Sequence, residues 1–169
     1  MEGEKLQEPR ASRPHIPDYG IPDSPEGLLP WSWARERLEQ ALTYWIATVR
    51  PEGRPHVMPS WGAWVGDRFY FEGGPRTRRA RNIARNPEVV VNVEHGDDAV
   101  IVEGTAVTLD PDQDLEARVV EGFAKYRTSH DYEVDPQNWR NGGLWALSPK
   151  VAFGWNVGLY PADATRWRF

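Results

Sequence analysis

The chain contains no cysteine, which excludes disulfides, thiolate catalysis and sulfur-ligated metal sites. Its four histidines (His15, His56, His95 and His130) stand far apart, without the spacing of a ligand set, so no metal is expected. No apolar run approaches the roughly 20 residues of a membrane-spanning helix. The N-terminus also lacks an apolar signal-peptide core. A cytoplasmic protein without membrane contact is therefore expected. Positive charge is not in excess: the formal net charge is −5, which argues against a nucleic-acid partner, because a phosphate-tracking surface needs basic residues in surplus. Lysine is scarce as well, since seventeen of the twenty basic residues are arginine. Such a bias suits planar, bidentate anion contacts and equally fits a GC-rich genome.

What is present points to one globular domain preceded by an arm. Residues 1–30 hold prolines at 9, 14, 17, 22, 25 and 30. They read as an irregular arm, disordered or wrapped on a partner subunit. The folded domain spans 31–169. Ser32 is placed to cap a short helix with Leu38, Ala41 and Leu42 on its buried side. A β-rich block follows, with strands expected at 44–50, at 56–65 and around Phe69-Tyr70-Phe71; Gly66-Asp67 between the last two is a two-residue hairpin turn. A helix at 77–86 has Ala80, Ile83 and Ala84 at core spacing and stops before Asn86-Pro87. Strands at 89–94 and 99–109 precede an amphipathic helix at 112–125, on which Leu115, Val119, Phe123 and Ala124 form the buried stripe. Residues 129–143 read as a loop. Short strands at 144–147, 151–155 and 164–169 close the chain. The fold class is mainly β (α+β), a closed or half-closed antiparallel barrel flanked by short helices. Most of the nine tryptophans belong in its core. Tyr70, Trp61 and Trp64 suit either the core or a stacking wall.

Charge is distributed unevenly along this framework. Residues 76–85 carry five arginines and no acid, whereas 110–116 carry four acids and no base. The arginine run places a threonine cap, Thr77, and then Arg78 and Arg79 at the very start of a helix. A helix N-terminus is already partly positive, so a cation in its first turn costs roughly 0.3–1 kcal/mol. The arrangement becomes favourable when an anion docks there, held by free backbone N–H groups and guanidinium forks together. A solvated basic helix is the other reading of the same residues.

The run Ala47-Thr48-Val49-Arg50-Pro51-Glu52-Gly53-Arg54-Pro55-His56-Val57-Met58-Pro59-Ser60-Trp61 resembles the opening strands of the pyridoxamine 5'-phosphate oxidase-like flavin-binding split-barrel superfamily. Phe69-Tyr70-Phe71 followed by Arg76-Thr77-Arg78-Arg79-Ala80-Arg81-Asn82 is similar to its phosphate-binding segment. The stretches Val100–Gly104 and Thr165–Phe169 match more briefly. The resemblance implies a six-stranded antiparallel split barrel, a homodimer, and a cofactor in the groove between subunits: FMN, or alternatively the deazaflavin coenzyme F-420. Thr77, Arg78 and Arg79 then grip the cofactor phosphate. Met58, Pro59 and Ser60 run along the ring system, Glu72 and Gly73 approach through backbone atoms, and Asn82 is a further candidate one turn along the helix.

Departures narrow the implied activity. Pro59 stands where true pyridoxamine phosphate oxidases carry a lysine, and Ala99 where they carry a flavin-contacting glutamine. The residues that hold the vitamin's phosphate have no counterpart, so vitamin B6 oxidation is not expected. The expected function is a flavin- or deazaflavin-dependent oxidoreductase that transfers a hydride between its cofactor and a small-molecule substrate. A non-catalytic flavin, deazaflavin or haem carrier or sensor is the alternative. The ring itself carries the hydride, so no catalytic acid, base or nucleophile is assigned. His56 is read as structural.

Overall fold

The computed structural model describes residues 8–169. Residues 1–7 of the arm lie outside the described residues. The remainder of the arm is more ordered than its prolines suggest. Strand β1 (Arg10–Ser12) pairs antiparallel with β9 (Thr165–Arg168), Ser12 facing Arg166. Arg13 ties the turn that follows: its guanidinium donates to the Ser24 carbonyl at 2.8 Å, to the Ala164 carbonyl at 3.0 Å, and to that of Glu26.

Helix α1 (Trp31–Gln40) starts two residues earlier than expected. Pro30 is its N-cap, without a side-chain bond, while Ser32 is exposed in the first turn. Pro30 holds φ at −69° with an extended ψ and offers no side-chain acceptor, so the helix starts without a side-chain cap. Trp31, Ala34 and Leu38 form the buried face; Ala41 and Leu42 lie past the helix end, half-buried. Lys125 closes that end, donating to the carbonyls of Glu39 at 3.0 Å and Ala41 at 2.6 Å, where a cation complements the helix dipole.

Strand β2 (Tyr44–Val49) shows the period-2 alternation of a half-buried strand, with Tyr44, Ile46 and Thr48 inward. It is followed by β3 (Pro55–Ser60), β4 (Gly62–Val65) and β5 (Arg68–Glu72). The single strand expected over 56–65 is therefore two. The break falls at Trp61 because the hydroxyl of Tyr126 accepts from the Gly62 N–H and donates to the Gly62 carbonyl, both at 3.0 Å. A side chain 64 positions away thus takes both backbone polar groups of Gly62, the residue that opens β4. Gly66 has φ +62°, as a hairpin turn with glycine first requires.

Helix α2 (Arg78–Arg85) is capped as the sequence indicates: Thr77 Oγ1 accepts from the Ala80 N–H at 3.1 Å. Ala80 and Ile83 are buried, but Ala84 is exposed and Asn82 is buried in its place. Strands β6 (Glu88–Val93) and β7 (Asp98–Thr108) follow. Helix α3 (Gln113–Phe123) is capped by Asp112, and a second short helix, α4 (Lys125–His130), continues beyond Ala124. The loop expected over 129–143 holds the end of α4 and a 3-10 turn, Pro136–Trp139, with Trp139 buried. The strands expected at 144–147 and 151–155 are one, β8 (Leu144–Asn156). A bulge lets Pro149 stand opposite Gly104 and leaves Lys150 without a partner in the ladder.

All pairings are antiparallel, in the order β1-β9-β8-β7-β6-β2-β3, with β5 added to β8 and β4 to β5. The described residues thus form nine strands rather than six; β1 of the arm and the break at Trp61 account for two of the additional strands. The sheet does not close on itself, and β3 is an edge. One apolar cluster, including Trp31, Phe69, Phe71, Trp145 and Trp167, packs between the sheet and α1 and α2; a second, including Val119, Phe123, Tyr126 and Trp139, lies under α3 and α4. Tyr70 and Trp64 are core residues, each 4% exposed. Trp61 is at the surface, stacked on Tyr126.

Candidate functional site

The chain turns out of β5 at Glu72-Gly73 and re-enters regular structure at Thr77, which brings the N-terminus of α2 beside edge strand β3. Between them lies a groove of about 230 Å³ lined by His56, Met58, Pro59, Thr77, Arg78 and Arg79. Five of the sequence-derived candidates meet there: Met58, Pro59, Thr77, Arg78 and Arg79.

Arg79 shapes the floor. Its Nη2 donates to the Glu72 carbonyl at 2.6 Å, and the guanidinium lies 4.8 Å from the centre of the Phe71 ring. Burial pulls its ionisation down from the ordinary arginine value. Gly73 makes this path possible: a Cβ there would lie 2.6 Å from Nη2 of Arg79. Gly73 is also held by its own backbone, donating to the Gly143 carbonyl at 3.0 Å and accepting from Trp145 Nε1 at 2.8 Å. Arg78 is exposed at the rim. Among the described residues, no carboxylate lies within ion-pair distance of Arg76, Arg78, Arg79, Arg81 or Arg85. A partly desolvated cation without a counter-ion is costly. The donor set of this groove therefore fits an anion, and specifically a phosphate, which accepts guanidinium forks and helix N–H groups together.

Three other candidates lie outside the groove. Ser60, at the end of β3, donates to the Trp61 carbonyl at 3.1 Å. The carboxylate of Glu72 faces away and accepts from Tyr132 Oη at 2.6 Å and Trp139 Nε1 at 2.8 Å, so this residue meets Arg79 only through its backbone. Asn82 is fully buried, and its Nδ2 donates to Thr48 Oγ1 at 2.9 Å. It supports β2 from behind.

His56 is the lining residue that the sequence reading set aside. It stands opposite Thr48 in the β2–β3 register, and its Nδ1 lies 3.4 Å from Thr48 Oγ1. Partial burial, then the charges of Arg50, Arg78 and Arg79, hold its imidazole below the ordinary histidine value. Its own strand does not mark it for the groove: period-2 spacing groups His56 with Met58 and Ser60, yet Ser60 lies outside and Pro59 lines the groove.

The same fold occurs in solved structures. A candidate 5-nitroimidazole antibiotic resistance protein from Bacteroides thetaiotaomicron superposes with TM-score 0.60 at 14% identity, covering 99% of this chain and 94% of that one. An F-420 reductase gives TM-score 0.52 at 26% identity over 76% of this chain and 98% of that one. A haem-binding protein from Mycobacterium smegmatis gives 0.57 at 17% identity, covering 81% of this chain and 59% of that one. Among curated proteins none matches. The family model described as pyridoxamine 5'-phosphate oxidase matches residues 33–152, which include the whole groove. The chain belongs to the pyridoxamine 5'-phosphate oxidase family.

Proposed function

We propose that the protein is an oxidoreductase that holds FMN, or alternatively the deazaflavin coenzyme F-420, and serves a small-molecule substrate. The carrying observation is the uncompensated Arg78–Arg79 pair at the Thr77-capped start of α2, facing strand β3 across the groove. Thr77, Arg78 and Arg79 hold the cofactor phosphate, and Met58 and Pro59 supply the apolar strip along which a ring system lies. When bound, the ring supplies two-electron hydride chemistry. The chain's own contribution is to bind, to orient and to exclude water. Pro59 and Ala99, in place of the lysine and glutamine of vitamin B6 oxidases, lead us away from that substrate.

A homodimer completes the site in this reading. A groove of about 230 Å³ falls short of the roughly 300–1,000 Å³ typical of small-molecule pockets, so it accommodates the phosphate end and leaves the ring to a second surface. On the sheet face opposite His56 and Met58, the edge strand and its neighbour expose Trp45, Val49 and Val57, at 38–50% each, an apolar strip suited to a second copy of the chain. FMN is favoured over the deazaflavin because one phosphate grip suffices for it; Arg76, Arg81 and Arg85 are exposed and would meet an acidic tail. No described helix is long and apolar enough to cross a membrane.

Turnover separates the enzyme from a carrier, sensor or haem-binding protein on the same fold. The reduced cofactor, bound to the protein, is expected to be reoxidised by an organic acceptor faster than the same cofactor free in solution. Equal rates across a panel of acceptors would leave the carrier reading in place.

A further inference from the structure

We infer that His56 is a further anion ligand of the groove, taking up a proton as a phosphate ester binds. The inference rests on the cofactor reading above and adds a regulation of the same site by pH.

The geometry provides for the imidazolium. Thr48 Oγ1 accepts from Asn82 Nδ2 at 2.9 Å and lies 3.3 Å from the His56 carbonyl, to which it donates. Its remaining lone pair faces His56 Nδ1 at 3.4 Å. A protonated ring therefore has a partner for Nδ1–H, while Nε2, which makes no hydrogen bond among the described residues, is left to donate into the groove. Asn82, wholly buried with Oδ1 unpartnered, is a positioning residue that fixes Thr48 and through it the ring.

The charges around His56 explain why the proton arrives only with the ligand. Arg50 comes from the β2–β3 turn, where Glu52 stands 3.9 Å from its guanidinium; Arg78 and Arg79 come from α2; β2 contributes the uncharged Thr48. These cations and partial burial keep the ring neutral in the free protein. A phosphate dianion beside these arginines offsets most of that field, and an opposite charge within hydrogen-bonding range favours the charged imidazole. Each unit by which binding raises the ring's pKa is worth about tenfold in affinity. Affinity is then higher below the raised value and declines as pH passes above it.

Calorimetric titration of FMN into the full-length protein at pH 7.5, in phosphate-free buffers of different ionisation enthalpy, tests this directly. The second phosphate proton, with a pKa of about 6, is already lost there, so any proton taken up belongs to the protein. Wild type is expected to take up more protons than His56→Gln. Its affinity should fall severalfold, and by less than tenfold per unit of induced shift, between pH 6.5 and 8.5, while the variant stays nearly flat. Equal uptake and equal pH dependence in the two proteins would overturn the inference and leave the cofactor reading standing. Absence of FMN binding by wild type would overturn both. A second measurement needs no variant to fold: the His56 imidazole resonance of wild type should titrate below 6.5 alone and higher with FMN, and an unmoved titration would overturn the inference.

Discussion

Replacing Arg78 and Arg79 together with alanine is expected to weaken FMN binding by about 3–6 kcal/mol, if each guanidinium makes a charge-assisted contact of about 1.5–3 kcal/mol. In dissociation constants this is roughly two to four orders of magnitude. The two arginines should differ in how they affect stability. Arg78 is exposed, and its removal alone should change folding stability by less than about 0.5 kcal/mol. Arg79 bonds the Glu72 carbonyl and covers Phe71, so its removal should cost about 1–2 kcal/mol. Riboflavin, which lacks the phosphate, serves as control: its affinity should hardly change. A folded double variant with unaltered FMN affinity would remove the phosphate assignment.

Gly104→Ala is expected to destabilise the fold by more than about 3 kcal/mol, a large share of the roughly 5–15 kcal/mol that holds a domain together. A Cβ at this position would lie 2.2 Å from the Ser148 carbonyl oxygen and 3.0 Å from Pro149 Cα. Both are backbone atoms of the facing strand. Relief would require prising apart β7 and β8 where the bulge already interrupts their ladder. Gly96 offers the contrast, since nothing lies within 4 Å of its added Cβ; Gly96→Ala should fall within about 0.5 kcal/mol of wild type. Denaturant midpoints of both variants measure the difference, and equal midpoints would show that the strands yield more readily than their packing implies.

The parts of this molecule that local rules govern were legible in the sequence. β-branched and aromatic residues marked β2, the Thr77 cap marked the start of α2, and an amphipathic stripe marked α3, because propensity, capping and helical spacing depend on residues a few positions apart. The parts set by distant partners were not. Nothing near Trp61 signals a strand break, since the group responsible is the hydroxyl of Tyr126. Pro149 looked like the end of a strand because the compensating bulge needs Gly104 from another strand. The stretch 129–143 hid a helix end and a 3-10 turn, whose Tyr132 and Trp139 are anchored on the Glu72 carboxylate.

The site divides along the same line. Its phosphate segment is contiguous and capped, so Thr77, Arg78 and Arg79 could be read off directly. Asn82 could not be placed, because packing on β2 sets the rotational phase of α2 and turns its amide toward Thr48 instead of the groove. His56 was passed over because a single strand histidine gives no sign of what faces it. The arginines that surround it arrive from α2 and from the β2–β3 turn.

The central claim is that the Thr77–Arg79 groove holds the phosphate of a flavin-type cofactor. Parallel titrations of the purified protein with FMN and riboflavin, followed by the absorption and fluorescence of the ring, test it most directly. Saturable binding of FMN, with riboflavin weaker by at least about a hundredfold, is the predicted result. Equal affinity for the two, or no saturable binding of FMN and of the deazaflavin coenzyme, would contradict the account.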